Sequence, residues 1–266
     1  FALRKQVEME VALMRLKRVF IPIVATLLFL IFWELVVWLN DWPNYKMASP
    51  SDLGPAFLKY WELFFIMGWQ TLWRTVIGLL ISILFGVLIG MVMGMSKTMR
   101  EALYPLLVGF NAIPKATVVP IVALMFVGAH DFNTILIAFM ISFFPIAVSI
   151  SIGLSTLEAE YRDILRSLGA SDMTIFWKIA LPKTLPEFFG ALKVSVSLAF
   201  IGTNLMEIVS PHGRGLGALF DSGKTNSDYP LMFAVLITLA VLGIVLYYIV
   251  VLLEQTFAGW AEKETY

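Results

Sequence analysis

Residues 134–154, TILIAFMISFFPIAVSISIGL, decide the fold. They contain no acidic or basic residue, over the length of about 20 apolar residues that a helix needs to cross the hydrocarbon of a bilayer. Residues 231–253 form a second uncharged stretch of this kind. Two such segments in one chain predict a protein that lies in a membrane.

The rest of the chain has the same character. Of its 266 residues, 59% are hydrophobic and 14% are charged, whereas soluble domains carry about 25% charged residues. We expect an all-α integral membrane protein with six transmembrane helices, because helices satisfy their own backbone hydrogen bonds in lipid. The predicted spans are residues 21–39, 74–95, 102–127, 134–154, 188–209 and 231–253.

The third predicted span contains Pro105, Pro114 and Pro120. Proline removes a backbone hydrogen bond, and the groups that it frees are tolerated at membrane depth only against protein or water. We therefore expect this span to be interrupted and to line a cavity.

Basic residues that flank the spans give the orientation, because they accumulate on the cytoplasmic side. A cytoplasmic N-terminus leaves only Lys46, Lys59, Arg214 and Lys224 outside. It places inside Arg4, Lys5, Arg15, Lys17, Arg18, Lys97, Arg100, Arg162, Arg166, Lys178, Lys183 and Lys263. Both termini are therefore predicted to be cytoplasmic.

Three regions follow from this topology. Residues 1–20 carry apolar side chains at helical spacing among basic ones, which indicates either an amphipathic surface helix or a solvated basic flank. Residues 21–255 form the transmembrane domain, and residues 256–266 form a cytoplasmic tail.

The second span carries a small residue at every fourth position: Gly78, Ser82, Gly86, Gly90 and Gly94. Such a stripe lets a neighbouring helix approach closely. We expect this span to pack tightly inside the bundle.

The cytoplasmic loop of residues 155–187 is predicted to form helix, turn and helix. Gly169 supplies the left-handed conformation that commonly ends a helix, and Ser171 is placed to cap a second short helix over residues 172–180. Pro182 and Pro186 are expected to end that helix before the fifth span. Two short helices at a sharp turn form a knob that a soluble partner could bind, although a plain connector would also contain such glycine and proline residues.

This loop resembles the "EAA" loop of bacterial ABC importer permeases, whose pattern is Glu-Ala-Ala, three residues, Gly, nine residues and Ile-x-Leu-Pro. Both internal spacings agree. The matching positions are Asp163, Ile164 and Leu165 at the triplet, Gly169, and then Ile179, Leu181 and Pro182.

The resemblance extends over most of residues 48–253. Within the family, the sequence is similar to the nitrate, sulfonate, taurine and bicarbonate branch, other members of which carry vitamin precursors. Its further segments are ASPSDL at 48–53, AIPKATVVPIVALMFVGA at 112–129, LGAS at 168–171, LPKTLPEFFGALK at 181–193, and Glu207 with the later Gly215, Leu216 and Gly217.

The resemblance implies a five-helix type I importer core in the bacterial inner membrane, with two permease copies, two ABC ATPase subunits and an extracytoplasmic solute-binding protein. It implies alternating access for a small solute, an anion or a vitamin-like compound. The residues that it implies for ATPase docking are Asp163, Ile164, Leu165, Leu168, Gly169, Ala170, Ser171 and Phe176.

Other kinds of site find little support. The chain has no cysteine, and its two histidines, His130 and His212, lie far apart, so we expect no metal and no cofactor. Its balanced charge gives no reason to expect nucleic acid. The last three positions of a P-loop pattern are matched by Gly223, Lys224 and Thr225, but Ala218 stands where the first glycine is required. The chain is therefore not expected to bind or hydrolyse ATP.

Two alternatives to an ATP-driven permease are open. A secondary transporter also uses broken helices and buried charges, although the six spans show no convincing internal repeat. An intramembrane enzyme has less support, because no arrangement of serine, histidine and acid is suggested within the spans.

Charged residues within or beside the spans should face protein or water, not lipid. Arg74 and Lys193 lie near span ends, where pairing or snorkelling at the interface is expected. Lys115, Asn204 and Glu207 are candidates for the translocation pathway, and Glu207 could instead hold the outer loop through Arg214. Glu34, in the first span, is the remaining charged residue within a predicted span.

Overall fold

The computed structural model describes residues 20–21, 24–155, 164–210 and 213–260. The described residues form helices and the turns between them, without a strand. The first five helices are α1 Val24–Leu39, α2 Pro50–Met95, α3 Lys97–Ala112, α4 Lys115–Met125 and α5 His130–Ser155. The others are α6 over residues 164–167, α7 Asp172–Ile175, a π-helical turn Phe176–Ala180, α8 Leu181–Val209, α9 Leu216–Thr225 and α10 Tyr229–Phe257.

The all-α membrane fold is confirmed. Helices α2, α5 and α10, and the run Met173–Val209 that contains α8, are each long and apolar enough to cross a membrane. Helices α3 and α4 together pass the same test but are bent by 84°, so they form a broken span or a re-entrant loop. In the described part of the chain, the first predicted span corresponds to the shorter apolar helix α1.

Helix α2 is much longer than the predicted second span. It begins at Pro50, not near Arg74, and contains 46 residues. Its backbone leaves helical geometry at Tyr60 (φ −113°, ψ 17°), and the chain divides there into two compact units. The composition of residues 50–73 is mixed, so hydropathy alone did not indicate that the helix continues.

One unit contains the described residues up to Trp61 together with Gly223–Ala234. Within it the Trp33 and Phe233 rings lie 6.1 Å apart, and the Tyr60 hydroxyl donates to Asp228 at 2.7 Å. The charge of Glu34 is satisfied by the N–H and hydroxyl of Ser51, at 3.0 and 2.8 Å.

The other unit contains Glu62–Ser222 and the residues from Val235 onward, and it holds the main core. The small-residue stripe of α2 packs against α5 as predicted. A Cβ added to Gly78 would lie 2.6 Å from Ala138 Cβ, and one added to Gly90 would lie 2.7 Å from the Ala147 carbonyl oxygen. Ser82 and Ser142 complete the contact with a hydrogen bond of 2.7 Å.

The predicted interruption of the third span is confirmed, and it lies at one proline only. Pro114 stands between α3 and α4, where the chain bends, whereas Pro105 and Pro120 lie inside those two helices. Ser96 begins α3 by accepting a hydrogen bond from the Met99 N–H at 3.3 Å. The sequence therefore predicted the break, but not which proline causes it.

The expectation that Pro182 and Pro186 end the second loop helix was wrong. Residues 172–209 form one continuous helical run, in which Pro182 lies in the first turn of α8 and Pro186 lies inside it. A π-helical turn precedes Pro182, and the Leu181 N–H bonds to the Phe176 carbonyl, five residues back. The wider turn accommodates the hydrogen bonds that proline cannot make, so no break is needed.

Candidate functional site

The loop turn at Gly169 has the predicted left-handed conformation, with φ +86°. The Gly169 N–H bonds to the Arg166 carbonyl at 2.9 Å, and the Ala170 N–H bonds to the Leu165 carbonyl at 3.0 Å. This is the Schellman pattern that satisfies the last carbonyls of a helix. The turn therefore fixes the direction in which the chain leaves α6.

The second loop helix begins as the sequence predicts. The Ser171 hydroxyl accepts the Thr174 N–H at 3.2 Å and also pairs with the Thr174 hydroxyl at 2.8 Å. These bonds satisfy an N-terminal donor of the helix that would otherwise have no partner. Gly169 and Ser171 together give the loop a defined shape.

The loop residues predicted to bind an ATPase fall into two groups. Leu165, Ala170 and Phe176 pack against the chain's own hydrophobic core, whereas Ile164 and Leu168 are exposed, Leu168 by 78%. Asp163 lies outside the described residues. Met173 and Trp177 are also exposed and were not among the predicted residues, although their four-residue spacing places them on one helical face.

The loop also touches the ends of the membrane helices. A cleft of about 260 Å³ lies among the last turns of α2 and α5 and the loop. Its lining includes Gly94, Leu154, Ile175, Phe176 and Ala180. The buried face of the loop therefore contacts the same helix ends that the small-residue stripe holds together.

Arg74, in the middle of α2, and Glu207, near the end of α8, form a buried ion pair. Their side chains are 2% and 1% exposed, and Nη1 of Arg74 lies 3.2 Å from Oε1 of Glu207. Nε of Arg74 also donates to Asp131 at 2.8 Å, and the Thr71 hydroxyl donates to Glu207 at 2.8 Å. Arg74 thus pairs inside the protein and does not snorkel.

The same ion pair holds the loop between α8 and α9. The Gly217 N–H donates to Glu207 at 3.1 Å, and Arg74 Nη1 donates to the Arg214 carbonyl at 2.5 Å. Gly215 has φ +114°, and a Cβ there would collide with the Glu207 carboxylate. Glu207 therefore holds this loop, as one alternative predicted, but its charged partner is Arg74 and not the Arg214 side chain.

Lys115 and Asn204, the other two pathway candidates, lie in different places. Lys115 lies just after the bend, where Nζ donates to the Phe110 carbonyl at 2.5 Å and lies 4.4 Å from the Phe110 ring centroid. Asn204 lies in an apolar groove of about 390 Å³ between α8 and α10, and its Nδ2 donates to the Phe200 carbonyl at 2.7 Å. Asn204 lies one helical turn before Glu207 on α8, but within the described part of the chain no hydrogen bond joins the side chain of Lys115 or Asn204 to Glu207.

Lys193 forms an ion pair with Glu254 at 2.8 Å, which joins α8 to α10. Neither this acid nor Asp131 was identified as a partner from the sequence. The predicted topology could have indicated both ion pairs. It places Lys193 and Glu254 at the cytoplasmic ends of their spans, and Arg74 and Asp131 at the outer ends of theirs. Hydropathy alone locates the spans. Finding these ion pairs also requires asking which charged residues the topology places on the same side of the membrane.

Residues 82–259 match a family model described as "Binding-protein-dependent transport system inner membrane component". The match includes the loop at Gly169, the break at Pro114 and Glu207. It covers well over half of the chain.

Similar proteins are transport permeases. The chain is 31% identical to the formylaminopyrimidine transport permease protein ThiX of Halalkalibacterium halodurans, over 91% of this chain and 96% of that protein. It is 34% identical to the riboflavin transport system permease protein RibX of Chloroflexus aurantiacus, over 89% of this chain and 88% of that protein. The taurine transport system permease protein TauC of Escherichia coli is 25% identical, over 62% of this chain and 59% of that protein.

A solved chain of the methionine ABC transporter MetNI, in an inward-facing conformation, has the same fold. The TM-score is 0.59, with 16% identity over 75% of this chain and 97% of that chain. At this identity the likeness concerns the fold alone.

Proposed function

Because the chain belongs to the family of binding-protein-dependent transport system inner membrane components, we propose that two copies form the translocation pathway of an ATP-driven importer in the bacterial inner membrane. Both termini are cytoplasmic, membrane lipid surrounds the spans, and an extracytoplasmic solute-binding protein delivers the substrate. Separate ABC ATPase subunits hydrolyse ATP, because the P-loop pattern at Gly223 lacks its first glycine.

The shaped loop from 164 to 180 carries this proposal. Its partly buried residues Leu165, Ala170 and Phe176 pack against the core of the membrane helices, and its exposed residues Ile164, Leu168, Met173 and Trp177 face outward. An exposed apolar group on a rigid turn suits a groove on a soluble partner. We place the ATPase contact on this exposed group, on the turn at Gly169 and Ser171, and on Asp163, which precedes Ile164 in the sequence.

A continuous helix could transmit movement of the ATPase subunits from the loop to the other side of the membrane. The run Met173–Val209 has 37 residues, about 55 Å at 1.5 Å per residue, and it joins the loop directly to Glu207. When ATP binding closes the ATPase pair, a displaced loop would move this helix as one body. The ion pair of Arg74 and Glu207 would carry the displacement to the outer loop, which is the alternating access proposed here.

Among the pathway candidates, the contacts of Glu207 favour a role in holding the outer loop. Lys115, at the break between α3 and α4, and Asn204, in its groove, remain our candidates for contact with the moving solute. The solute itself is a small molecule, either an anion or a vitamin-like compound, as the names of the similar permeases suggest.

The test uses Leu168→Ala with Leu58→Ala as a matched control, since Leu58 is 80% exposed and Leu168 is 78% exposed. Leu168→Ala should weaken attachment of the purified ATPase at least roughly tenfold, because truncating a central apolar anchor commonly costs that much. Leu58→Ala should bind normally, and both variants should keep their thermal unfolding temperature.

Unchanged ATPase attachment in both Leu168→Ala and Trp177→Ala would reject the proposed docking surface. Uptake into vesicles that contain only this chain, driven by an ion gradient without ATPase, would instead support a secondary transporter.

A further inference from the structure

A cleft of about 490 Å³ lies where α4, α5 and α8 meet, and it lies at the ends of α5 and α8 opposite to the loop of residues 164–180. This size lies in the range of small-molecule sites, about 300–1,000 Å³. The residues that define it are Leu124 and Val127 at and after the end of α4, His130 and Asn133 in the first turn of α5, and Val209 and Ser210 at the end of α8.

Asn133 lines this cleft, and its side-chain oxygen lies just behind the surface without a hydrogen-bond donor among the described residues. Its side chain is 2% exposed, and its Nδ2 donates to the Phe126 carbonyl at 3.0 Å. The carbonyl can only accept, so the amide nitrogen must face it and Oδ1 must point the other way. Among the described residues no donor reaches Oδ1, and a buried acceptor without a donor costs about 1–3 kcal/mol.

His130 adds a second polar group. Its Nδ1 lies 2.6 Å from the Ser210 hydroxyl, so Nε2 is the ring nitrogen left to meet a ligand. The rest of the described lining is apolar or glycine, and it contains no lysine, arginine, aspartate or glutamate. An anion would find no cation there and would face a buried amide oxygen, which repels it.

We propose that this cleft is a substrate site for a neutral, largely apolar small molecule that carries an N–H donor. The apolar wall would contact its apolar part, Asn133 Oδ1 would accept the N–H, and His130 would contact a second polar atom. Oδ1 is almost covered by its neighbours, so a small rotation of the amide accompanies binding. This inference rests on the proposed transport function, and it selects a neutral solute over an anion.

The chain has no cysteine, so Leu124→Cys places a single thiol at the rim, where Leu124 is 76% exposed. The assembled complex is treated with a maleimide in the presence of 4-aminopyrimidine, 4-(dimethylamino)pyrimidine or sodium nitrate. The first probe should slow labelling at a concentration roughly tenfold lower than the second, which lacks the N–H donor, and nitrate should not protect.

Adding Asn133→Leu should remove the difference between the two pyrimidines. Adding Ser195→Ala should preserve it. Ser195 is also a buried polar residue without a hydrogen-bond partner in the described part of the chain, but it does not line the cleft. If Asn133→Leu fails to assemble, the three probes on Leu124→Cys alone still decide.

Equal protection by both pyrimidines, protection by nitrate at a similar concentration, or no protection by any probe would overturn the inference. Attachment of the ATPase is measured on the same preparation. An attached, active ATPase with no pyrimidine effect rejects this site and leaves the transport function standing, whereas loss of attachment tests that function independently.

Discussion

Gly169 and Gly190 both have open space where a Cβ would stand: apart from adjacent residues and their own helix, no heavy atom of the described chain lies within 4 Å. They differ in backbone, since Gly169 has φ +86° and Gly190 lies inside helix α8. The effect of a side chain at Gly169 therefore comes from the conformation of the turn and not from crowding. This pair of residues separates the geometry of the loop from its packing.

We predict that Gly169→Ala weakens ATPase attachment or uncouples ATP hydrolysis from uptake, because the left-handed backbone costs a side chain about 1–2 kcal/mol. Gly190→Ala should leave both unchanged. Assembly, ATPase rate and uptake are measured on one reconstituted preparation. Normal coupling in Gly169→Ala would mean that the loop is only a connector.

Glu207 and Lys115 are charged residues with different surroundings. Glu207→Ala should destabilise the protein by about 3–5 kcal/mol, because it leaves Arg74 buried without one of its partners. Lys115→Ala should cost about 1 kcal/mol, since it removes one hydrogen bond to a carbonyl from a partly exposed group.

Thermal unfolding in detergent measures both variants, and transport is then assayed in whichever variants still insert. Equal stability of Glu207→Ala and the parent would contradict a structural role for the ion pair. Normal transport by Lys115→Ala across solute concentrations would remove Lys115 from the pathway.

At the scale of the helix, the stripe on α2 decides how closely α5 can approach. We predict that Gly90→Ala destabilises the bundle by about 1–3 kcal/mol, because its Cβ would lie 2.7 Å from the backbone of α5. The control is Gly243→Ala on α10, whose Cβ would have its nearest neighbour at 3.5 Å. Equal falls in the unfolding temperature of both variants would contradict a particular need for small residues in the stripe on α2.

Regular spacing in the sequence predicted the contacts between helices well, whereas the positions of proline predicted the ends of helices less well. The four-residue spacing from Gly78 to Gly94 is a property of one helix, so it is visible locally. Whether Pro182 ends a helix depends on the neighbouring turn, where the π-helical hydrogen bond to Phe176 lets the helix continue. The partners of Arg74 lie 57 and 133 residues away, so no local pattern could indicate them.

For the whole molecule, the number of crossings decides on which side the N-terminus lies. The broken pair α3 and α4 counts as one crossing if it spans, and α1 adds another. The described part of α1 is Val24–Leu39, about 24 Å at 1.5 Å per residue, whereas the hydrocarbon is about 30 Å thick. Basic residues before α1 nevertheless favour a cytoplasmic N-terminus and therefore a crossing by α1.

We therefore predict the labelling of three single-cysteine variants in intact cells by an impermeant maleimide. Lys224→Cys should react from outside, while Lys97→Cys and Lys5→Cys should react only after the membrane is opened. Lys97 and Lys224 are exposed in the structure, so a lack of reaction at Lys97→Cys reports the side of the membrane and not burial. Reaction of Lys5→Cys from outside, with the other two unchanged, would mean that α1 does not cross and that only the five-crossing core carries the predicted orientation. Reaction of Lys97→Cys from outside would reverse the whole topology, and the loop at Gly169 would then lie on the wrong side to meet an ATPase.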